Sequence, residues 1–233
     1  MTVRIAVAGV GRLGREIVAL APARDVEVVA TFGRDAALSA SALQSCGADV
    51  VIDVSVAEAV EANVDACLSA GIPIVIGVTG WQDAAQRVHD RVLEQNGGML
   101  IAPNFSVGAT LFSATVADAA RRFSTALGFD AALVETHHAT KKDAPSGTAR
   151  SLAAAARAIR GTEVPVTSVR VGQVPGVHAL VLDAAFEQIT LTHEARDRRV
   201  FADGALLAAR WMLGRRGSFT MNDVVRDLTG DAL

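Results

Sequence analysis

The chain has 233 residues, of which 51% are hydrophobic, so it is long enough for one large domain or two modest ones with packed cores. Its net charge of −3, the absence of tyrosine and the lack of a long basic segment argue against nucleic acid as a partner. The N-terminus runs straight into a strand pattern and no apolar run is long enough to cross a bilayer, which predicts a cytoplasmic protein with no membrane partner. Cys46 and Cys67 are isolated, with no histidine at ligand spacing, so no metal site is predicted.

The first predicted elements are a strand and a helix joined by a glycine motif. The strand covers residues 3–8, and the helical pattern runs through Leu20. In a GxGxxG motif the first glycine permits a tight turn, the second lets the backbone approach a pyrophosphate, and the third lets the helix pack on the strand. The alternative is a glycine turn without a ligand. The order strand, motif, helix favours dinucleotide binding by Gly9, Val10, Gly11, Arg12, Leu13 and Gly14.

The second predicted strand, residues 27–32, ends where an acidic residue would hold the ribose 2′-hydroxyl of NAD. This chain has Gly33 and Arg34 there instead. An arginine suits the 2′-phosphate of NADP, so the sequence favours NADPH over NADH as cofactor. The alternative is that Arg34 is a solvated loop charge, and the neighbouring Asp35 complicates the choice.

Alternating strands and helices continue to about residue 105. Strands predicted at residues 49–53, 72–76 and 99–102 are separated by helices at residues 57–69 and 81–95, which is typical of a doubly wound parallel sheet. Loops at the carboxyl ends of such strands form a ligand crevice, although ordinary connecting loops look much the same. This position adds Gly77, Val78, Thr79, Ala102, Pro103, Asn104 and Phe105 to the predicted cofactor site.

The second half of the chain has a different pattern. We expect an α+β domain with a mixed or antiparallel sheet, followed by C-terminal helices that return to the Rossmann-like first domain. The predicted domains are residues 1–105, completed by 209–233, and residues 106–208. The predicted helices are 107–127, 146–160, 204–213 and 221–228, and the predicted strands are 131–134, 164–171, 178–182, 187–193 and 199–201.

The only two lysines, Lys141 and Lys142, stand beside two of the five histidines, His137 and His138. Arginine stays protonated at neutral pH, whereas lysine can be tuned to donate a proton. An arginine-biased genome could produce the same scarcity of lysine. Because both lysines lie within five residues of the two histidines, the sequence nevertheless indicates an acid–base site near residue 140.

The sequence Pro-Ser-Gly-Thr at residues 145–148 precedes an alanine-rich helix, whose first backbone N–H groups lack intrahelical partners. Such a helix start can bind an anion, so a carboxylate is predicted on Gly147 and Thr148, with His138 or a lysine as its electrostatic partner. The alternative is that Ser146 and Asp143 only cap the helix.

Residues 135–149, E-T-H-H-A-T-K-K-D-A-P-S-G-T-A, closely resemble the signature of the dihydrodipicolinate reductases of bacterial lysine and diaminopimelate biosynthesis, which are also called 4-hydroxy-tetrahydrodipicolinate reductases. The resemblance covers the whole chain. It includes the glycine loop and the segments at residues 77–80, 102–108, 191–195 and 201–205.

The resemblance implies a homotetrameric, NADPH- or NADH-dependent oxidoreductase. Its substrate would be a cyclic dicarboxylate imine, which loses its 4-hydroxyl as water and is reduced to tetrahydrodipicolinate. By the same resemblance, His137 and Lys141 are the acid–base pair, and His138, Gly147 and Thr148 hold a substrate carboxylate. The cofactor lies on Gly9 to Gly14, Arg34, Gly77 to Thr79 and Ala102 to Phe105.

The chain departs from the family pattern in its shorter glycine loop, in a short segment between Arg34 and Asp49 where a helix is expected to be trimmed, and in Val177 before His178, which weakens any role for that histidine. Two other functions are compatible with the first domain. One is a dehydrogenase of an amino acid or semialdehyde, which would leave residues 135–149 unexplained. The other is a catalytically silent nucleotide-binding homologue, which would have no evident need for both histidines and the lysine.

Overall fold

The structure is a computed structural model and describes residues 2–230. Its elements up to residue 101 alternate between strand and helix: β1 (Val3–Ala8), α1 (Arg12–Leu20), β2 (Val26–Phe32), α2 (Ala40–Cys46), β3 (Val50–Asp53), α3 (Val60–Ala70), β4 (Ile74–Ile76), α4 (Gln82–Glu94) and β5 (Gly98–Ile101). The remaining elements are α5 (Val107–Arg122), β6 (Asp130–His137), α6 (Gly147–Arg160), β7 (Val166–Arg170), β8 (Gly176–Ala184), β9 (Glu187–Ala195), α7 (Arg199–Met212), β10 (Gly217–Thr220) and α8 (Met221–Thr229).

The chain divides into two compact units. Unit 1 contains the chain up to Val107 and again from Arg199, and unit 2 contains Gly108–Arg198. Helix α7 therefore belongs whole to unit 1, and a division at residue 208, as predicted from the sequence, would cut this helix.

Unit 1 is built on a parallel sheet of six strands in the order β10-β5-β4-β3-β1-β2. The strands at its centre are buried on both faces, which explains why β1, β3 and β4 read as continuous apolar runs. On one face, α1 and α7 pack their apolar residues against β1 and β3. Helices α3 and α4 cover the other face.

Unit 2 has a four-stranded sheet in the order β7-β6-β8-β9, in which β6 and β7 are parallel and the other pairs antiparallel. Helices α5 and α6 pack on one face, around Leu133, Leu152 and Leu180. The residues of the strands alternate between this face and the opposite one, as expected for a sheet with one covered side. The predicted α/β fold, with a parallel sheet and a second mixed sheet, is confirmed.

In the segment where a trimmed helix is expected, α2 is a helix of 7 residues, which Ser39 caps through Ala42 N–H and which Gly47 ends in the left-handed conformation. Two elements differ from the prediction. Residues 199–201 were predicted as a strand but begin helix α7. Strand β10 was not predicted, and it forms because Gly217–Thr220 pairs with β5 at the edge of the sheet.

Candidate active site

The predicted nucleotide residues of unit 1 lie at the carboxyl ends of its parallel strands. Gly9 follows β1 at φ +94°, a left-handed conformation that glycine adopts without strain. A Cβ added at Gly9 would lie 2.6 Å from the backbone of Val54 and Ser55, and one at Gly14 would lie 1.9 Å from the carbonyl oxygen of Gly9. These two glycines are therefore needed to pack β1, α1 and the loop after β3 together.

Gly11 has a different role in the same loop. It is the N-cap of α1, offers no side chain to the helix N–H groups, and has no atom within 4 Å of an added Cβ. The first turn of α1 is therefore open at Gly11, which is where the motif predicts that a diphosphate binds. Val10 and Arg12 are exposed around this opening, whereas Leu13 is partly buried and packs against the core.

Arg34 lies at the tip of a tight turn directly after β2. The turn is closed by hydrogen bonds between Gly33 and Ala36, at 3.0 and 3.3 Å. Arg34 is exposed, and an added Cβ at Gly33 would lie 3.4 Å from the Val10 side chain, which places the turn beside the glycine loop. The cation thus stands on the same edge of the sheet as the opening at Gly11.

The loops after β4 and β5 meet on this edge. An added Cβ at Gly77 would lie 2.3 Å from the ring of Phe105, which is buried and fixes the two loops against each other. Val78 is buried and its carbonyl accepts a hydrogen bond from the Trp81 indole, while Thr79 is exposed. In the β5 loop Ala102 is buried, Pro103 exposed and Asn104 half-buried. The Asn104 side-chain oxygen accepts from Ser106 N–H at 2.9 Å.

A buried polar cluster that is not predicted from the sequence lies under the glycine loop. Asp53, at the end of β3, is fully buried and accepts hydrogen bonds from the N–H and hydroxyl of Ser55 and from the Asn63 amide. These bonds hold the loop after β3, against which Gly9 packs. The available signal was an aspartate at the end of an otherwise apolar parallel strand, where no water satisfies a carboxylate.

In unit 2 the candidate catalytic residues follow from the alternation of strand β6. Leu133, Glu135 and His137 face the covered side of the sheet, two residues apart, and all three are buried. His137 is the last residue of β6, and its ring Nδ1 is hydrogen-bonded to the Glu135 carboxylate. The ring keeps 11% of its surface exposed, at the end of the strand from which the loop to α6 departs.

Glu135 is the most connected group of this cluster. Arg170 on β7 donates to both of its oxygens, at 3.0 and 2.6 Å, and the backbone N–H of Ser146 donates at 3.2 Å. Burial by itself would raise the pKa of Glu135, but the surrounding hydrogen-bonding groups, Arg170 most of all and then Ser168, His137 and the Ser146 backbone, lower that pKa to about 2. The carboxylate is therefore ionised at neutral pH inside the unit.

The loop between β6 and α6 carries the remaining candidates. His138 Nδ1 is hydrogen-bonded to the Thr140 hydroxyl at 2.8 Å. The Lys141 ammonium lies 2.6 Å from Asp143 Oδ1 and lowers the pKa of that carboxyl. The same loop is fastened by Arg170, which donates to the Asp143 carbonyl at 2.6 Å. His137 and Lys141 are close enough to His178 that the charge of each disfavours protonation of its ring.

Helix α6 begins at Gly147 with Ser146 as its N-cap, and the Ser146 hydroxyl accepts from Ala149 N–H at 3.2 Å. The capping prediction is correct for Ser146, whereas Asp143 pairs with Lys141 instead. Gly147 is exposed and Thr148 half-buried at the first turn, where helix N–H groups point away from the helix. The first turn of α6 thus lies next to the loop that carries the histidine and the lysine.

His178 on β8 is buried beside His137, with the ring centroids 5.2 Å apart and the rings edge to face. Its Nε2 lies 3.3 Å from the Ser146 hydroxyl. Burial lowers the pKa of His178 to about 4, and the charge of His137 acts in the same direction. A neutral His178 accepts a hydrogen bond from Ser146, so its position supports the loop from below.

No group of three or more His, Cys, Asp or Glu within residues 2–230 is arranged to hold a metal ion. Among the helices of the same residues, none combines the length and apolar character that a bilayer crossing requires.

Two family models match the chain. The model of the N-terminus of dihydrodipicolinate reductase matches residues 3–105, and the model of its C-terminus matches residues 108–225. A 4-hydroxy-tetrahydrodipicolinate reductase of Christiangramia forsetii is 32% identical, covering 96% of this chain and 98% of the relative. The enzyme of the same name from Gluconobacter oxydans is 43% identical, covering 76% of this chain and 77% of the relative.

A solved structure has the same fold. Dipicolinate-bound dihydrodipicolinate reductase from Paenisporosarcina sp. TG-14 superposes with a TM-score of 0.81 at 22% identity, covering 94% of this chain and 98% of that one. The predicted family is confirmed, and with it the prediction of an NAD(P)H-dependent oxidoreductase. The chain belongs to the dihydrodipicolinate reductase family.

Proposed function

We propose that this protein reduces 4-hydroxy-tetrahydrodipicolinate to tetrahydrodipicolinate with loss of water, in lysine and diaminopimelate biosynthesis. The observation that carries the proposal is the segment from Glu135 to Thr148, in which a buried ionised carboxylate, a histidine, a lysine and a helix start follow one another. The names of the relatives support this reaction, and the dipicolinate bound to the solved family member supports a cyclic dicarboxylate as ligand.

In this function the helix start of α6 binds a substrate carboxylate. The N–H groups of Gly147 and Thr148 and the positive end of the helix favour an anion, and His138 adds a further donor. The Ser146 hydroxyl caps the helix through the N–H of Ala149, one residue beyond the two that we assign to the carboxylate.

His137 and Lys141 form the acid–base pair. NADPH or NADH, when bound, would supply hydride to the substrate ring, and the carbon adjacent to the one reduced would then need a proton. Lys141 or His137 donates that proton, and the cations around the site stabilise the negative charge that develops on the ring. Asp143 holds the Lys141 ammonium in the loop through their ion pair.

The edge of the parallel sheet fits a dinucleotide. Gly9 and Gly14 shape the loop, Gly11 leaves it open at the start of α1, and the loops at residues 77–79 and 102–105 line the rest of the edge. We assign the ribose end to the turn at Arg34, whose exposed guanidinium would pair with a 2′-phosphate, and therefore expect NADPH to be preferred over NADH.

The open face of the sheet in unit 2 supports the expected homotetramer. Its outward residues are small and uncharged over the middle of three strands: Thr136, Val177, Ala179, Val181, Thr190 and Thr192. A face of this kind can pack against a copy of itself. Equilibrium sedimentation tests it, with the mass of four chains expected and the mass of one chain contradicting it. The family's biosynthetic role favours the cytoplasm as location.

The test of the function is oxidation of NADPH and of NADH, followed at the nicotinamide absorbance. Substrate is generated in place from pyruvate and aspartate semialdehyde by the preceding synthase. Oxidation that depends on the synthase is expected, and faster with NADPH. Nucleotide binding without oxidation would overturn the proposal in favour of a silent homologue.

A further inference from the structure

Glu135 is a charged residue in the buried part of unit 2, where an ionised side chain is costly and therefore unusual. The residue is 1% exposed, between strands β7 and β8, and it is ionised. Its Oε1 accepts hydrogen bonds from Arg170 and from the Ser146 N–H, and its Oε2 accepts from Arg170 and interacts with His137. A buried ion pair of this kind adds little net stability compared with apolar residues of the same size. The contacts therefore invite a functional explanation.

The contact with His137 determines which ring nitrogen carries the proton. An ionised carboxylate has no hydrogen to donate, so Nδ1 of His137 must be the donor in the bond with Glu135. In the neutral ring the lone pair then sits on Nε2, and in the protonated ring Nε2 carries the second proton.

The two ring nitrogens of His137 differ in their hydrogen bonding, because Nδ1 is bonded to Glu135 and Nε2 is not bonded to another residue of the described chain. Among residues 2–230, no group makes a hydrogen bond to Nε2 that would compete with a ligand. Nε2 lies over Gly176 of β8, where an added Cβ would come within 3.0 Å of it, so a side chain at that position would crowd the nitrogen. The ring of His178 meets His137 edge to face and limits its rotation.

From these contacts, and resting on the proposed function, we infer that Glu135 is a positioning residue that keeps the His137 proton on Nδ1, so that Nε2 exchanges the proton with the substrate. Arg170 holds both Glu135 oxygens and the Asp143 carbonyl, and thereby locks the carboxylate and the Lys141 loop to the same strand.

The Glu135→Gln variant tests this inference. Arg170 donates at both oxygen positions, so it opposes an amide NH2 group at either one. The amide oxygen is expected at the Oε1 position, because the backbone N–H of Ser146 is a second donor there, whereas the imidazole beside the Oε2 position can accept. The amide NH2 group then faces Nδ1 of His137 and moves the ring proton to Nε2. Substitutions that impose the wrong tautomer cost up to about 10⁴-fold in kcat, and we expect a loss of about 10² to 10³-fold here, with the Kd for NADPH unchanged.

The tautomer of His137 separates the two possible roles of Glu135. If Glu135 only stabilised the fold, its replacement would not move the ring proton of His137. Nitrogen-15 NMR of histidine-labelled protein distinguishes protonated from unprotonated ring nitrogens, and the signals missing in His137→Asn identify residue 137. The wild type is expected to show Nδ1–H and the Glu135→Gln variant Nε2–H. The matched control is Glu187→Gln, the same change at an exposed position of β9, which should alter neither the tautomer nor kcat.

A wild-type ring that carries its proton on Nε2 would overturn the inference, and so would a Glu135→Gln variant with the kcat of the wild type. The wild-type measurement needs no variant, so the inference can be tested even if Glu135→Gln does not fold. The tautomer is read without turnover, so a wild-type enzyme that shows Nδ1–H but does not reduce the substrate would contradict the proposed function alone.

Discussion

In unit 1 the proposed ligand site is made of backbone, whereas in unit 2 it is made of side-chain charge. Gly9, Gly11 and Gly14 have no side chains, so the loop can pack closely and leave the backbone N–H groups at the start of α1 open to a ligand. In unit 2, Glu135 and Arg170 are 35 residues apart in the chain and form an ion pair whose carboxylate is also hydrogen-bonded to His137. A site made of backbone can be disrupted by one added methyl group, whereas the charges of the surrounding side chains matter less to it. A site made of charged side chains is disrupted when a charge is lost and is less sensitive to a small change in side-chain size.

The largest effect is expected in unit 2 from Lys141→Ala. Loss of the proton donor should lower kcat about a thousandfold, within the range of general acid catalysis, while the Kd for NADPH stays unchanged. Stopped-flow or steady-state nucleotide oxidation measures kcat, and fluorescence titration measures Kd. Lys142→Ala is the matched control, because Lys142 is the exposed neighbour in the same loop. A Lys141→Ala variant with near-normal turnover would remove Lys141 from the mechanism.

In unit 1 two glycine variants should separate packing from ligand approach. Gly14→Ala places a methyl group 1.9 Å from the Gly9 carbonyl and should lower the free energy of unfolding of unit 1 by about 3 kcal/mol. Gly11→Ala meets no atom within 4 Å, so it should leave the free energy of unfolding unchanged to within about 0.5 kcal/mol while weakening NADPH binding about tenfold. Urea unfolding followed by tryptophan fluorescence reports on unit 1, since Trp81 and Trp211 both lie there. Equal destabilisation by the two variants would contradict the distinction.

The buried, neutral ring of His178 in unit 2 predicts a pH dependence of the stability of that unit. His178 has a reference pKa of 6.5 and a pKa of about 4 in the folded chain, so the unfolded chain takes up the proton first as the pH falls. The contribution of His178 to the free energy of unfolding is therefore present above about pH 6.5 and is lost as the pH falls towards 4. We expect the free energy of unfolding of unit 2 to fall by about 2 kcal/mol between about pH 7.5 and about pH 5.

His178→Asn should flatten this dependence, as measured by urea unfolding followed by circular dichroism. His89→Asn on α4 of unit 1 is the control, and it should leave the dependence of unit 2 intact. A His178→Asn variant with the same pH slope as the wild type would show that another group is responsible.

The smallest effect is expected from Arg34→Ala at the turn after β2. Loss of one charge-assisted contact should raise the KM for NADPH about tenfold, or about 1.4 kcal/mol, and change the KM for NADH less than about twofold. The two nucleotides serve as controls for each other in the same variant. Equal changes in both KM values would mean that Arg34 contacts a part common to NADH and NADPH.

The same contrast explains what the sequence could predict. The alternation of strands and helices and the spacing of the glycines are local, so β1 to β5 and the loops between them were predicted closely. Strand β10 depends on pairing with β5, more than a hundred residues earlier, and its four residues carry no strong pattern of their own. The strand predicted at residues 199–201 was wrong because the packing of α7 on β1 and β3 extends the helix over them.

In the candidate site of unit 2, the residues of the loop between β6 and α6 can be predicted from the sequence. The buried hydrogen-bond network beneath that loop can be predicted only in part. The alternation of β6 places Glu135 on the same face as His137, and this signal could have been used. Its partner Arg170 could not be found in this way, because the pairing of β7 with β6 is a tertiary event. The role of Gly176 likewise depends on register, which puts it opposite His137.

The order of the units along the chain has a consequence for synthesis on the ribosome. Residues 108–198 are complete when they emerge, whereas the sheet of unit 1 still lacks β10, α7 and α8. Helix α7 supplies Ala205, Leu206 and Met212 to the core around β1 and β3, so one apolar face of that sheet stays uncovered until α7 has been made. The nascent protein thus completes unit 2, with the proposed catalytic loop, before it can complete unit 1.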